Sequence, residues 1–345
     1  MPLWRGVIEE YRDRLPITDA TPVITLQEGG TPLVRADALS ERTGMEMYLK
    51  YEGANPTGSF KDRGMCVAIA KALEEGAAAV TCGSTGNTSA SAAAYAAKAG
   101  LRCIVLVPQG GITMGKLAQA LVHGAEVLEI EGNFDAALDV SRGLAGNHPI
   151  TNVNSVNPNR IEGQKTCAFE IVDNLGRAPD YQVMPVGNAG NITAQWKGYK
   201  EYGPDRPVMF GVQAEGAAPF IKGEPIEDPS TLASAIRIGN PASWEGAVKA
   251  TTESGGGFLA VSDGEILEAY HVLAEEEGLF CEPASAASLA GFIRLLEEDR
   301  IERGRTCVLI LTGHGLKDPD RALAEAPSTK RVPADLETVA HLLGW

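Results

Sequence analysis

Gln182-Val-Met-Pro-Val-Gly-Asn-Ala-Gly-Asn191 is an uncharged apolar run that ends in a glycine-rich turn. The run reads as a buried strand, and helical spacing resumes near Ile192. Strand, tight turn and helix in immediate succession make the βα unit of a parallel sheet. The same order recurs along the chain. Candidate strands are Met47–Tyr51, Ala79–Cys82, Cys103–Val107, Glu126–Ile130, Gln182–Val186, Val208–Val212 and Cys307–Leu311. Between them lie Asp62–Glu75, Ser89–Lys98, Phe134–Leu144 and Arg160–Leu175, with apolar residues three and four apart. Ser262-Asp-Gly-Glu265 reads as a capping box that opens a further helix. The predicted fold class is α/β with mostly parallel strands.

The chain has 345 residues, which at about 150 residues per domain favours two domains. No repeat or obvious linker separates them, so the expectation is two interleaved units. A net charge of −15 argues against a nucleic-acid or anionic-membrane surface, either of which needs a basic field. An anionic small molecule remains compatible, because it needs only a local positive cluster. The first residues, MPLWRGVIEEYRDRL, carry charge early and lack an apolar signal core, so export is not expected. The uncharged run from Gly76 to Ala97 is interrupted by CGSTGNTSAS and cannot span a membrane. Cys66, Cys82, Cys103, Cys167, Cys281 and Cys307 show no C-x-x-C or metal spacing and read as buried free thiols in a reducing cytosol.

Ligands of open α/β sheets sit at the carboxyl ends of strands. Three glycine- or hydroxyl-rich segments fall there: Gly83-Ser-Thr-Gly-Asn-Thr-Ser89, Gly187-Asn-Ala-Gly-Asn191 and Thr312-Gly-His-Gly-Leu-Lys317. A fourth is Asn55-Pro-Thr-Gly-Ser-Phe-Lys-Asp-Arg-Gly64, where turn chemistry precedes a helix and Ser59 is placed to cap it. Lys61 then lies in the first helical turn, where the macrodipole favours a neutral, nucleophilic amine. A solvated Lys-Asp-Arg helix start is the alternative. Gly187–Asn191 is suited to a phosphate held on backbone N–H groups, with a structural turn as the alternative; it lacks both the Walker lysine and the three-glycine nucleotide spacing. Ser84 and its neighbours offer donors for a carboxylate, or simply a polar connection. The glycines flanking His314 allow close backbone approach to a ligand, but a lone histidine is more often structural or surface-exposed than catalytic.

Taken together and in this order, these segments resemble the fold-type-II family of pyridoxal-phosphate enzymes, and within it the threonine synthases. The resemblance runs from Glu28-Gly-Gly-Thr-Pro-Leu33 to Thr312-Gly-His-Gly-Leu-Lys-Asp318, and NPTGSFKDRG is its most specific piece. It implies a two-domain, tryptophan-synthase-β-like fold of parallel-rich open sheets flanked by helices. Residues 1–55 and 146–345 would form the larger, cofactor-binding domain, and 56–145 a smaller mobile one carrying the Asn87 loop. It further implies pyridoxal 5'-phosphate as cofactor, bound by Lys61 as a Schiff base. Gly187, Asn188, Ala189, Gly190 and Asn191 would hold the cofactor phosphate, Asn87 the phenolic oxygen and Thr312 the pyridine nitrogen. A threonine hydroxyl holds that nitrogen protonated less firmly than a carboxylate would, which weakens the electron sink.

The substrate so implied is O-phospho-L-homoserine, converted with water to L-threonine and phosphate by γ-elimination and β-hydration. Ser84 and Thr85 would cradle its α-carboxylate. Thr88, Lys116, Asn154, Ser155 and Arg160 would take its phosphate, with Arg160 and Lys116 at helix starts where the dipole assists. Surface ion pairs are the other reading of those two cations. The resemblance implies a cytoplasmic homodimer with no metal, no nucleic acid and no membrane partner. A serine or threonine deaminase of the same fold is the nearest rival, and it needs no second phosphate pocket.

Overall fold

A computed structural model describes residues 3–84, 86–109, 114–132, 134–326 and 328–345, with side chains for all of these except 114–116, 134 and 135. In chain order the strands are β1 (Leu33–Arg35), β2 (Glu46–Tyr51), β3 (Ala79–Gly83), β4 (Arg102–Pro108), β5 (Glu126–Ile130), β6 (Ile150–Asn152), β7 (Tyr181–Pro185), β8 (Val208–Ala214), β9 (Gly257–Val261) and β10 (Thr306–Leu311). The first helices are α1 (Val7–Glu10), α2 (Asp37–Thr43), α3 (Lys61–Glu74), α4 (Asn87–Ala99), α5 (Met114–Val122), α6 (Phe134–Asn147), α7 (Pro158–Gln164) and α8 (Thr166–Leu175). They are followed by α9 (Gly190–Tyr202), α10 (Pro219–Lys222), α11 (Trp244–Ser254), α12 (Asp263–Glu275), α13 (Pro283–Glu297), α14 (Pro319–Glu325) and α15 (Leu336–Leu343).

The strands form two sheets, a six-stranded one ordered β1-β2-β10-β7-β8-β9 and a four-stranded one ordered β5-β4-β3-β6. All ladders are parallel except β1 against β2. In the larger sheet side chains alternate between two cores. Cys307, Leu309 and Leu311 of β10 pack with α12 and α13, whereas Val308 and Ile310 face α8, α9 and α11. Burial on both faces is why this strand is a continuous apolar run. In the smaller sheet α3, α4 and α5 share one core with Val7, Ile8 and Leu15 of the N-terminal segment, and α6 closes the other face.

Every strand expected from the sequence forms. β1, β6 and β9 were not anticipated. β1 and β6 are three-residue pieces, too short to show a period, and β9 follows Ser254-Gly-Gly-Gly257, which reads as loop. β6 places residues 150–152 in the smaller sheet, beside β3. The stretch Arg160–Leu175, expected as one helix, is two, joined at Lys165. The Ser262 capping box forms as expected, with Ser262 Oγ accepting from the Glu265 N–H and Glu265 reaching back. All six cysteines are free and buried.

Ser59 does not cap α3. Its backbone pairs with Gly313 across the site, and the helix starts later, with Phe60 already in helical geometry at its N-cap. The Ser59 hydroxyl is left buried with no hydrogen-bond partner among the described residues. Among the described residues no helix is long and apolar enough to cross a membrane, and no cluster of metal-ligating side chains is found.

Candidate active site

Four strand ends converge. β2 leads into the Asn55–Lys61 turn, β3 into Ser84 and Asn87, β7 into Gly187–Asn191 and β10 into Thr312. Two of these are stitched directly together. The Phe60 N–H donates to the Thr312 carbonyl at 3.1 Å, and the His314 N–H donates to the Gly58 carbonyl at 2.9 Å. That bridge fixes Lys61, the first residue of α3, beside Thr312.

The Lys61 side chain opens partly toward the cleft yet is closely surrounded by protein, its Nζ lying 4.1 Å from the Phe60 ring centre. Burial, reinforced by the Arg160 guanidinium and opposed by Glu282, pushes its ammonium down to about 7. A lysine so placed has a substantial share of its amine in the neutral, nucleophilic form near neutral pH. Arg160 is brought there by a close helix crossing. α3 and α7 touch through glycines: a methyl on Gly64 would stand 2.6 Å from the Arg160 carbonyl, and one on Gly163 would overlap the Arg63 carbonyl.

Arg160 is wholly buried. One nitrogen, Nη1, donates to the Val153 carbonyl at 3.2 Å, while Nε and Nη2 have no partner among the described residues. Burial pulls its guanidinium down to about 10. A buried cation with two unanswered donors is costly, and an anionic ligand answers it. Asn154 behaves differently. Its amide pairs both ways with the Gly83 backbone, accepting at 2.9 Å and donating at 3.0 Å, so its side chain props the Ser84 loop. Ser84 Oγ accepts from the Gly86 N–H, Thr88 is nearly buried, and Ser155 is half-buried, its carbonyl near Gly190. Thr85 and the Lys116 side chain lie outside the described residues.

The turn after β7 has a geometry suited to an anion. Ala189, at the N-cap of α9, adopts the left-handed conformation with φ 66°. With it the first amides of α9 have no acceptor within the helix and point outward. Asn188 accepts the Ala242 N–H at 3.4 Å through its side chain and the Ser243 N–H at 3.1 Å through its carbonyl, tying the turn to α11. Asn191 is buried, and its Nδ2 is unpartnered among the described residues.

Asn87 and Thr312 meet at a residue not anticipated from the sequence. Asn87 Nδ2 donates to both carboxylate oxygens of Glu282, at 3.1 and 3.3 Å, and Thr312 Oγ1 lies 3.4 Å from Oε1. Thr312 also shares a 2.9 Å bond with Ser285, which accepts the Gly313 N–H at 3.0 Å. An acid directly before the Pro-Ala-Ser opening of an apolar helix was the available signal for Glu282. His314 takes no place in this cluster. Its Nδ1 accepts the Leu316 N–H at 3.1 Å and its ring packs on Phe280 and Tyr51.

Residues 24–313 match the family described as pyridoxal-phosphate dependent enzyme. A threonine synthase of Mycobacterium bovis is 59% identical over 99% of this chain and 96% of its own. One from Methanocaldococcus jannaschii is 49% identical over 99% of this chain and 87% of its own. The chain belongs to the threonine synthase family. Solved structures agree on the fold: O-ureido-L-serine synthase superposes with TM-score 0.75 at 18% identity, covering 99% of both chains. A threonine deaminase from Solanum lycopersicum gives 0.73 at 22% identity, covering 85% of this chain and 82% of that one.

Threonine synthases are pyridoxal-phosphate-dependent lyases, and the residues present fit that cofactor. The orphaned Asn191 amide and the left-handed turn at Ala189 suit its phosphate, and the depressed Lys61 amine suits its aldehyde.

Proposed function

We propose that this chain converts O-phospho-L-homoserine and water to L-threonine and phosphate. The observation that carries the reading is Arg160, a buried guanidinium with two unanswered nitrogens, close enough to depress Lys61 and on a different element from the turn before α9. A substrate bearing its own phosphate accounts for such a second anion site. The high identity to threonine synthases over nearly the full length supports the same substrate.

In this reading Lys61 holds the cofactor, the Gly187, Asn188, Ala189, Gly190 and Asn191 turn holds its phosphate, and Asn87 and Thr312 orient its ring. Ser84 and Thr85 take the substrate carboxylate. Arg160, Ser155, Thr88 and Lys116 receive its phosphate, with Asn154 supporting the loop they close on. Pyridoxal phosphate, when bound, supplies the electron sink for negative charge at the substrate's Cα. The neutral Lys61 Nζ accepts the Cα proton, passes it on, and then, neutral again, accepts a Cβ proton, while Arg160 stabilises the phosphate as the Cγ–O bond breaks. Water then adds its oxygen at Cβ, and protons return to Cα and Cγ. Loop closure around Ser84–Asn87 excludes water until the phosphate has left.

The chain acts in this reading as a cytoplasmic homodimer. Its free buried cysteines suit a reducing compartment, and the exposed apolar side chains of Leu336, Leu342, Leu343 and Trp345 suit a further contact.

The test is to incubate the loaded chain with O-phospho-L-homoserine and assay threonine and phosphate together. Equimolar products are expected, and Arg160→Gln should lower kcat/KM about tenfold to a hundredfold by removing charged hydrogen bonds. No phosphate from that substrate, but ammonia and a keto acid from threonine or serine, would instead assign a deaminase.

A further inference from the structure

Among the described residues, Glu282 is the acid that both side chains assigned to the cofactor ring contact. It precedes Pro283 at the start of α13, and its backbone N–H donates to the Gly313 carbonyl at 2.9 Å, so its position is fixed at both main chain and side chain. Gly313 packs directly against it: a methyl there would lie 2.5 Å from Glu282 Oε1 and would have to displace the carboxylate. The residue is buried, with 4% of its surface exposed. Buried carboxylates are retained only where partners answer them. Here Asn87 from α4 and Thr312 after β10 supply hydrogen bonds. Burial raises the Glu282 carboxyl above its ordinary value, Asp318 adds to that rise, and the Asn87 hydrogen bond with the positive charge of Lys317 and of Lys61 from α3 opposes it.

We propose that Glu282 is a positioning residue for the cofactor ring and a counter-charge for Lys61. Its carboxylate gathers Asn87 and Thr312, which come from different sheets, into one frame, so the ring edge they grip has a single tilt. The same negative charge favours the ammonium form of Lys61. This inference rests on the assignment of Lys61 to the cofactor made above.

Stopped-flow absorbance after mixing cofactor-free chain with pyridoxal phosphate reads both roles. Glu282→Gln preserves shape and an acceptor for Asn87 while removing charge. The midpoint of the pH dependence of cofactor attachment should fall by about one unit. Glu282→Ala should in addition raise the cofactor Kd, since the frame is lost. A merely structural residue would weaken binding in both variants without moving the midpoint. An unmoved midpoint in Glu282→Gln, with its thermal unfolding unchanged, would overturn the proposal. Lys61→Ala separates the two claims, because cofactor attachment that survives it would refute the Lys61 assignment instead.

Discussion

At the scale of single residues, the site works by withholding solvation. Lys61 is depressed to about 7 first by burial and then by Arg160, whose guanidinium keeps two nitrogens without a partner among the described residues. The sign of the consequence is direct. Attachment of the cofactor needs the neutral amine, which forms as pH rises through about 7 rather than through the ordinary lysine value near 10.5. The rate of attachment should therefore rise with pH and level off above about 7, followed by absorbance. A rate still climbing steeply toward pH 10 would show that Lys61 is not so perturbed. Lys61 stands out in the sequence as a lysine in the first turn of a helix after a turn-rich segment, whereas the roles of Asn87 and Thr312 come only from the family resemblance. Glu282 was not legible there, since its role depends on a contact between α13 and α4 that no local pattern encodes.

At the scale of elements, the crossing of α3 and α7 decides where Arg160 stands. The paired glycines Gly64 and Gly163 let the two backbones touch, and no larger residue fits either position. Gly163→Ala should cost at least about 1–3 kcal/mol of stability and displace Arg160 from Lys61, raising KM for the phosphorylated substrate. Unchanged thermal unfolding and kinetics in that variant would remove this account of the crossing. The sequence suggested a single helix over Arg160–Leu175, because apolar periodicity runs through it. The break at Lys165 comes from packing on α3 and α9, a tertiary effect invisible to periodicity. In the same way the misplaced Ser59 cap reflects the Ser59–Gly313 bridge, a pairing of residues far apart in the chain.

At the scale of the whole molecule, a buried ionic network ties the lysine helix to the larger sheet. Arg63 of α3 binds Glu52 after β2 at 2.6 Å and Glu170 of α8 at 2.5 Å, and Lys50 of β2 binds Glu170 at 2.7 Å. Arg63→Leu leaves two buried carboxylates short of a partner and should destabilise the fold by about 3–5 kcal/mol, measured by denaturant unfolding. Arg63 and Lys50 hold Glu170 down to about 2 against the opposing effect of burial. Its contribution is thus full above the usual glutamate range near 4.5 and is lost as pH falls toward about 2. Arg63→Leu should erase that part of the acid dependence. The α/β class and the mostly parallel strands were legible in the sequence, whereas the strand order and a network joining residues 50, 52, 63 and 170 were not, being written only in their proximity.

The central claim is that the phosphate leaves by cleavage of the Cγ–O bond and that water enters at Cβ. The most direct test is turnover of O-phospho-L-homoserine by the loaded chain in oxygen-18 water, with both products analysed by mass spectrometry. The account predicts one heavy oxygen in the threonine hydroxyl and none in the phosphate. Heavy oxygen in the phosphate, with none in threonine, would mean that the ester is hydrolysed at phosphorus and would contradict it.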